Sequence, residues 1–369
     1  MIKILFFIEE LRGGGAEKVL CNLVNEMDPN QFEITVQTLW KGNSQELLLP
    51  RIHYRYCYAS ESRFNRYRSR IEAQLGLTYR LYIKGDYEIE VAYLEFGSTK
   101  IISKSNNRSA KKVAWVHSDL AKKLSAESDD LQKLKNQYAA FDKIVCVSKT
   151  AKKSFVELFG RDSDTDVLYN TVDDEAIRKK AAFLPTGFPP KNNLTAVSVG
   201  RLSKEKQFPM LLRVHKRLLA DGLQHTLWIV GEGSEREALE RYIAENKLSD
   251  SVFLQGYQTN PYPFMKAADL LVCSSGYEGL STFITEGLIL GKPIVTTECS
   301  GMRELLGNSD YGLIVDNQEE ALYRGLRQML ADADLRAVYA AHAAERGRDF
   351  SARQLAKETE GFFIQLLKD

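Results

Sequence analysis

The stretch Ala268-Asp-Leu-Leu-Val-Cys-Ser274, followed by Tyr277-Glu278-Gly279-Leu280-Ser281-Thr282-Phe283-Ile284-Thr285-Glu286-Gly287-Leu288, decides how this chain reads. Its first part is a short apolar run, the pattern of a buried strand. Phe283, Ile284, Leu288 and Ile289 then recur at helical spacing. Glu278 and Glu286 stand eight positions apart, the first just outside the helix and the second within it. Ser281 or Thr282 is expected to cap that helix, so that its free backbone N–H groups face whatever Glu278 touches. An acid beside an anion-binding helix start suits a ligand carrying both phosphates and hydroxyls, such as a nucleotide sugar. A surface acid ahead of an ordinary amphipathic helix competes with that reading.

Outward from this stretch the same alternation fills the chain. Apolar runs at 2–8, 33–39, 88–94, 112–117, 143–148 and 165–169 predict strands, and helical patterns lie at 15–27, 65–84, 127–140 and 150–159. The Pro-, Gly- and Asn-rich segment 183–193 reads as a linker. Beyond it, strands are predicted near 194–200, 226–231, 252–255, 269–273, 293–297 and 312–315. Strands alternating with helices imply parallel sheets covered on both faces. The expected class is α/β: two doubly wound, Rossmann-like domains, 1–182 and 194–345, facing a central cleft and followed by a terminal segment 346–369. Ligands of such sheets bind at the carboxyl ends of strands.

At 369 residues the chain is long enough for two cores. A formal net charge of +1 lacks the basic excess that nucleic acid demands. The five cysteines are scattered without a Cys-x-x-Cys pair, which predicts reduced core thiols. The five histidines show no metal-ligand spacing. The apolar start Met1–Ile8 is cut short by Glu9-Glu10, too short for a secretory signal. No run approaches the roughly eighteen apolar residues of a membrane span. A cytosolic location is expected.

Several strand ends carry candidate ligand groups. Gly13-Gly14-Gly15-Ala16-Glu17 follows the first strand and opens the first helix. Its glycines allow close backbone approach and the helix start favours a phosphate, but the G-x-G-x-x-G spacing of a nicotinamide site is absent. Gly200-Arg201 ends another strand, and Arg201 with Lys206 can clamp a diphosphate. Gly231-Glu232-Gly233 and Gly256-Tyr257 offer backbone to a base or ribose, though tight turns explain them almost as well. His117, in Trp115-Val-His117, closes a strand of the first half and can donate to a sugar hydroxyl, against a structural role. Asn170 sits where the chain turns toward the second half, and a turn-forming role competes.

Taken together and in order, Gly14-Gly15, His117, Gly200-Arg201, Lys206, Gly231-Glu232-Gly233 and the Glu278-x7-Glu286 pair resemble the retaining nucleotide-sugar glycosyltransferases of family 4, of bacterial surface-polysaccharide type. The resemblance covers almost the whole chain and is strongest over 194–316. It implies the GT-B architecture, an acceptor-binding first domain, a donor-binding second one, and a last helix crossing back to the first. It further implies that Arg201 and Lys206 hold the donor's diphosphate and that Glu286 holds the ribose hydroxyls. Glu278 would bind the transferred sugar, His117 would approach that sugar, and backbone at Gly279, Leu280 and Ser281 would lie along it. Gly14, Gly15, Gly231, Gly256, Tyr257 and Asn170 complete the donor-binding set. Ser281 departs from the proline or larger residue of many relatives, which leaves the sugar open. Neither metal nor cofactor is expected, because positioned cations can meet the charge of a departing diphosphate.

Residues 51–70 hold six arginines and four tyrosines against one acid, Glu61. That mixture suits a headgroup interface or a lipid-diphosphate acceptor, and Lys100, Lys104, Arg108, Lys111 and Lys112 extend it. The competing reading is a solvated helix face. The expectation is transfer of a hexose or N-acetylhexosamine from a nucleoside-diphosphate sugar, UDP by family frequency, to a lipid-linked saccharide at the inner membrane face. A nucleotide-sugar epimerase of the same architecture, and a silent nucleotide-sugar-binding module, are the alternatives.

Overall fold

The structure, a computed structural model, describes every residue except 13, 125–128, 184–187, 190–192 and 369. Gly13 of the glycine loop and much of the expected 183–193 linker therefore lie outside the described residues. The chain forms two units, Met1–Val172 with Ala352–Asp369, and Asp173–Ser351.

The first unit is built on a parallel sheet of seven strands: β1 (Ile2–Ile8), β2 (Phe32–Trp40), β3 (His53–Tyr58), β4 (Ile89–Ala92), β5 (Lys111–Val116), β6 (Lys143–Cys146) and β7 (Thr165–Val167). Their order is β3-β2-β1-β4-β5-β6-β7. Ile4 of β1 faces Ile34 of β2 and Ile89 of β4 across the ladder. Ile4 through Ile8 are fully buried, as a strand covered on both faces requires. Leu5, Phe7, Val116, Ile144, Tyr138 and Phe155 belong to one core cluster. The last helix, Ala352–Leu366, belongs to this unit: Phe363 packs edge-on against Phe6, and Glu360 accepts from Asp28 N at 2.6 Å.

The second unit carries a six-stranded parallel sheet of β8 (Leu194–Val199), β9 (His225–Val230), β10 (Val252–Leu254), β11 (Leu270–Cys273), β12 (Ile294–Thr297) and β13 (Leu313–Val315), ordered β10-β9-β8-β11-β12-β13. The order reverses between β8 and β11, the point at which doubly wound sheets open a ligand crevice. The helix Phe208–Ala220 buries Phe208, Leu211, Leu212, Val214 and Leu218, an apolar stripe at helical spacing. Leu227, Ile229, Leu270 and Val272 belong to the same core.

Three sequence expectations shift. The predicted helix 65–84 is two helices, Arg63–Gln74 and Thr78–Tyr82, broken where Gly76 takes φ +69. Residues 53–58 of the basic, tyrosine-rich stretch 51–70 are the edge strand β3. There Arg51 donates to Met27 O and Asn25 O, and Arg55 to Lys84 O, so both arginines serve the fold. The units divide at Val172/Asp173 and Ser351/Ala352, whereas the sequence suggested boundaries after 182 and 345. The cause is the helix Asp174–Lys180, capped by Asp173 onto Ala176 N at 2.8 Å, which packs on Tyr262–Ala267 and Thr282–Ile289.

Candidate active site

Two adjacent strands of the second unit, β8 and β11, end at the site. After β8 the chain runs through Gly200, Arg201 and a short turn to Lys206. After β11 it runs through Ser274 and Ser275 to Glu278. Lys206 Nζ donates to Glu278 Oε1 at 2.6 Å, and Ser275 Oγ donates to the same oxygen at 2.8 Å. Glu278 Oε2 has no hydrogen bond among the described residues. Ser274 Oγ holds the Lys206 carbonyl at 2.7 Å, and Gly276 N donates to Glu205 O at 2.8 Å. Thr297 Oγ1, at the end of β12, holds the Ser275 carbonyl at 2.8 Å. The loops after β8, β11 and β12 thus brace one another.

Burial is the largest influence on the Lys206 ammonium and pulls its pKa down, but Glu278, Cys273 and Glu205 outweigh it and the net shift is upward. Lys206 stays charged. Burial also pushes up Glu205, yet the Ser203 hydroxyl, its own backbone, Lys206 and Arg201 leave it below the usual range. Arg201 is exposed and within electrostatic reach of that carboxylate. The site presents one half-buried cation, one exposed cation and an acid with an oxygen to spare.

Ser281 is the N-cap of the helix Thr282–Ile289, but its side chain makes no capping hydrogen bond, contrary to the sequence expectation. Its carbonyl instead accepts from Thr285 N and Oγ1, both at 3.1 Å. The first-turn N–H groups are therefore not consumed by a capping hydroxyl. Glu286, in the middle of the helix, accepts from the Tyr262 hydroxyl at 3.2 Å. Burial and then Glu286 push the Tyr262 hydroxyl far above its usual pKa, so it remains a donor.

The glycine loops at the ends of β9 and β10 join the same edge. Gly231 N donates to Gly256 O at 2.8 Å, and Leu202 N to Glu232 O at 2.9 Å. Gly231 has φ +147, and a Cβ there would stand 1.9 Å from Gly200 O. Packing between loops thus explains this glycine without a ligand. Tyr257, beside Gly256, is exposed.

Residue runs matching two known families cover nearly all of the chain: residues 13–176 match Glycosyltransferase Family 4, and residues 180–346 match Glycosyl transferases group 1. The chain is built from two glycosyltransferase-family regions. Among curated glycosyltransferases, the Campylobacter jejuni N-acetylgalactosamine-N,N'-diacetylbacillosaminyl-diphospho-undecaprenol 4-alpha-N-acetylgalactosaminyltransferase is 32% identical over 230 residues, 62% of this chain and 61% of that one. The Rhizobium meliloti lipopolysaccharide core biosynthesis glycosyltransferase LpsE is 32% identical over 48% of this chain and 51% of its own. The matched stretch thus spans little more than half of these relatives. Anabaena Alr3699/HepE, solved in complex with UDP-glucose, superposes with a TM-score of 0.81 at 19% identity, covering 99% of this chain and 100% of that one. At that identity the likeness speaks for the GT-B fold alone.

The remaining expected glycosyltransferase site residues lie in the first unit. His117 follows β5, its backbone N–H donating to Glu95 Oε1 at 3.0 Å and its ring 4.8 Å from that of Tyr93. Asn170 is buried, 7% exposed. Gly14 caps the helix Gly15–Glu26, whose start is already engaged: Glu17 Oε2 accepts from Gly14 N at 3.1 Å and from Arg12 N. The phosphate-favouring helix start read from sequence carries its own carboxylate. Sequence reasoning missed Ser274, Ser275, Glu205 and Tyr262. The paired serines directly after a predicted strand were the one available signal, and nothing marked Tyr262.

Proposed function

We propose that this protein is a retaining glycosyltransferase that moves a hexose or N-acetylhexosamine from a nucleoside-diphosphate sugar, with UDP as the carrier, to a lipid-linked saccharide. One observation carries the reading. Glu278 is fixed through Oε1 by Lys206 and Ser275, and Oε2 is left to accept from sugar hydroxyls. Breaking the anomeric C–O bond puts negative charge on the diphosphate and positive charge on the ring. Lys206 and Arg201 favour the first, and the Glu278 carboxylate the second, as each develops. Glu286, oriented by Tyr262, supplies an acceptor for ribose hydroxyls. These cations supply the charge that a metal brings elsewhere, so activity should survive chelation.

The lipid-linked acceptor is supported by the Campylobacter relative, whose name specifies a diphospho-undecaprenol saccharide. Attachment to the inner face of the membrane follows from such an acceptor, as no described helix is long and apolar enough to cross a bilayer. The test is UDP release from a panel of UDP-sugars, with and without a polyprenyl-diphosphate saccharide. Acceptor-dependent release, with a glycoside of the donor's anomeric configuration by NMR, is expected. An epimer formed from donor alone, or nucleotide sugar bound and never consumed, would end the proposal.

A further inference from the structure

The helix Arg63–Gln74 is turned inside out. Its two buried residues are Ser69 and Glu72. Glu72 is held inward by the Tyr58 hydroxyl and by Arg68 Nε at 2.6 Å. The large apolar side chains face away from the domain: Phe64 is 71% exposed, Tyr67 68%, Ile71 38%, and Leu75, just past the helix end, 66%. At about 100° per residue these four lie within an arc of about 80°. On the same wheel Arg63 and Arg70 border one side of the arc and Arg68 the other. Arg66 pairs with Glu61 at 3.0 Å, while Arg63 and Arg70 have no ion pair among the described residues. Beyond the helix a Cβ on Gly76 would meet Lys104 Cγ at 3.4 Å, so that lysine stem flanks the same end.

We propose that this outer face docks on an anionic bilayer, its four apolar side chains entering the headgroup and upper acyl region while the arginines meet lipid phosphates. Charge selects the occupant. The helix carries four arginines against one carboxylate, and that carboxylate, Glu72, is buried and spent on Arg68. A second copy of the chain fits poorly, because a two-fold contact sets like arginine borders against each other. An uncharged surface would leave those guanidinium groups without counter-charge. Glu61 bonds both Arg66 and Arg12, which ties the helix start to the loop that leads into Gly14. The choice of partner rests on the lipid-linked acceptor proposed above, whereas the inverted helix face stands independently of it.

The full chain is sedimented with phosphatidylcholine vesicles, with and without phosphatidylglycerol. Co-sedimentation with the anionic vesicles at low salt and release at high salt are expected. A Phe64→Ser, Tyr67→Ser, Ile71→Ser triple variant should bind roughly tenfold less with an unchanged melting temperature, since the groups removed are exposed. Arg63→Gln with Arg70→Gln should flatten the salt dependence. In Phe64→Trp, the emission of the new indole should shift to the blue and be quenched by brominated lipid. Vesicle binding by the triple variant equal to wild type, or no binding by wild type, overturns the proposal. So does ultracentrifugation showing a dimer that the triple variant abolishes. Transfer to a short-chain, water-soluble acceptor separates the two readings: intact transfer without vesicle binding sinks the docking surface alone, and vesicle binding without any transfer sinks the enzyme reading alone.

Discussion

Lys206 and Glu278, 72 positions apart in sequence, meet at 2.6 Å across the reversal point of the second sheet. Their side chains are 21% and 14% exposed, so both have given up most of their hydration. A buried ion pair of this kind usually does no better for stability than a well-packed apolar pair. Its retention is better explained by what the two charges do for a ligand. The ammonium keeps its proton and the carboxylate keeps one oxygen unengaged, so the pair presents both signs of charge to a substrate that develops both.

Glu278→Gln tests this division of labour. The amide preserves shape and hydrogen bonding but removes the charge, so the Lys206 ammonium loses its counter-ion and turns wholly to the diphosphate. UDP affinity by calorimetry should hold or rise. Turnover should fall by about 10²–10³, the usual cost of one electrostatic contact made in the transition state. Weakened UDP binding with unchanged turnover would assign Glu278 to nucleotide binding instead.

Gly231→Ala should damage the nucleotide side of the site from beneath. At φ +147 the alanine is strained, and its Cβ would collide with Gly200 O. Separating the two loops should cost about 3 kcal/mol or more and displace Arg201, which follows Gly200 directly. Urea unfolding and the KM for donor report the two effects. A variant as stable as wild type would mean that the loops are not in contact.

Much of this was legible in the chain itself. Each strand of the second unit falls on an apolar run, and the central ones, β8, β9, β11 and β12, are covered on both faces and have no polar side to confuse the pattern. β3 was missed for the opposite reason. As an edge strand it leaves His53, Arg55 and Tyr56 exposed, and its alternating tyrosines read as a surface patch. The acids of the Glu278–Glu286 pair were visible from their spacing, whereas the Lys206–Glu278 bond depends on strand order, which spacing does not encode. Ser281 shows the limit of capping rules: the residue stands at the N-cap, but its hydroxyl makes no capping bond. Glu17 shows the converse, since a glycine at the N-cap hides a carboxylate that reaches back from the third helical position.

Glu17→Ala follows from that last point. The carboxylate serves two backbone donors, Arg12 N and Gly14 N, at a helix start with no other side-chain cap. Its loss should cost about 1 kcal/mol, or roughly 2–4 °C in the melting of a domain of this size. An unchanged melting temperature would show that water replaces the carboxylate at no cost.

The histidine pair of the second unit predicts an acid limit to stability. His215 Nδ1 and His225 Nε2 are 2.8 Å apart, His215 Nε2 is 2.9 Å from Ser251 Oγ, and His225 Nδ1 is 2.8 Å from Leu223 O. One proton arrangement fits throughout: His225 Nδ1–H donates to Leu223 O, His215 Nδ1–H to His225 Nε2, and the Ser251 hydroxyl to His215 Nε2. Both rings are then neutral; a further proton on His215 Nε2 would turn the Ser251 hydroxyl to the Leu248 carbonyl at 3.2 Å and leave a charge among buried groups. Burial, then the neighbouring His225, lowers His215 to about 3. Burial also lowers His225, against the pull of the Leu223 carbonyl. The unfolded chain therefore binds protons below about pH 6.5 that the native state refuses, so stability falls with pH from there toward about 3. The limiting slope is about 1.4 kcal/mol per pH unit for each histidine. Two carboxylates of the first unit, Glu9 and Glu90, act with the opposite sign. Burial raises both, so the native state takes up their protons first as the solution acidifies. A global melting curve would mix the two effects. Trp228 lies in the second unit and Trp40 and Trp115 in the first. Urea unfolding followed through Trp228, with Trp40→Phe and Trp115→Phe as background, sets Glu9 and Glu90 aside; the depressed Glu205 and Glu320 of the second unit add to the histidine loss chiefly below about pH 4.5. Between about pH 6.5 and 4.5 the unfolding midpoint should fall, and His215→Gln should remove a large part of the fall. A flat midpoint across that window would mean that the pair already carries a proton at neutral pH.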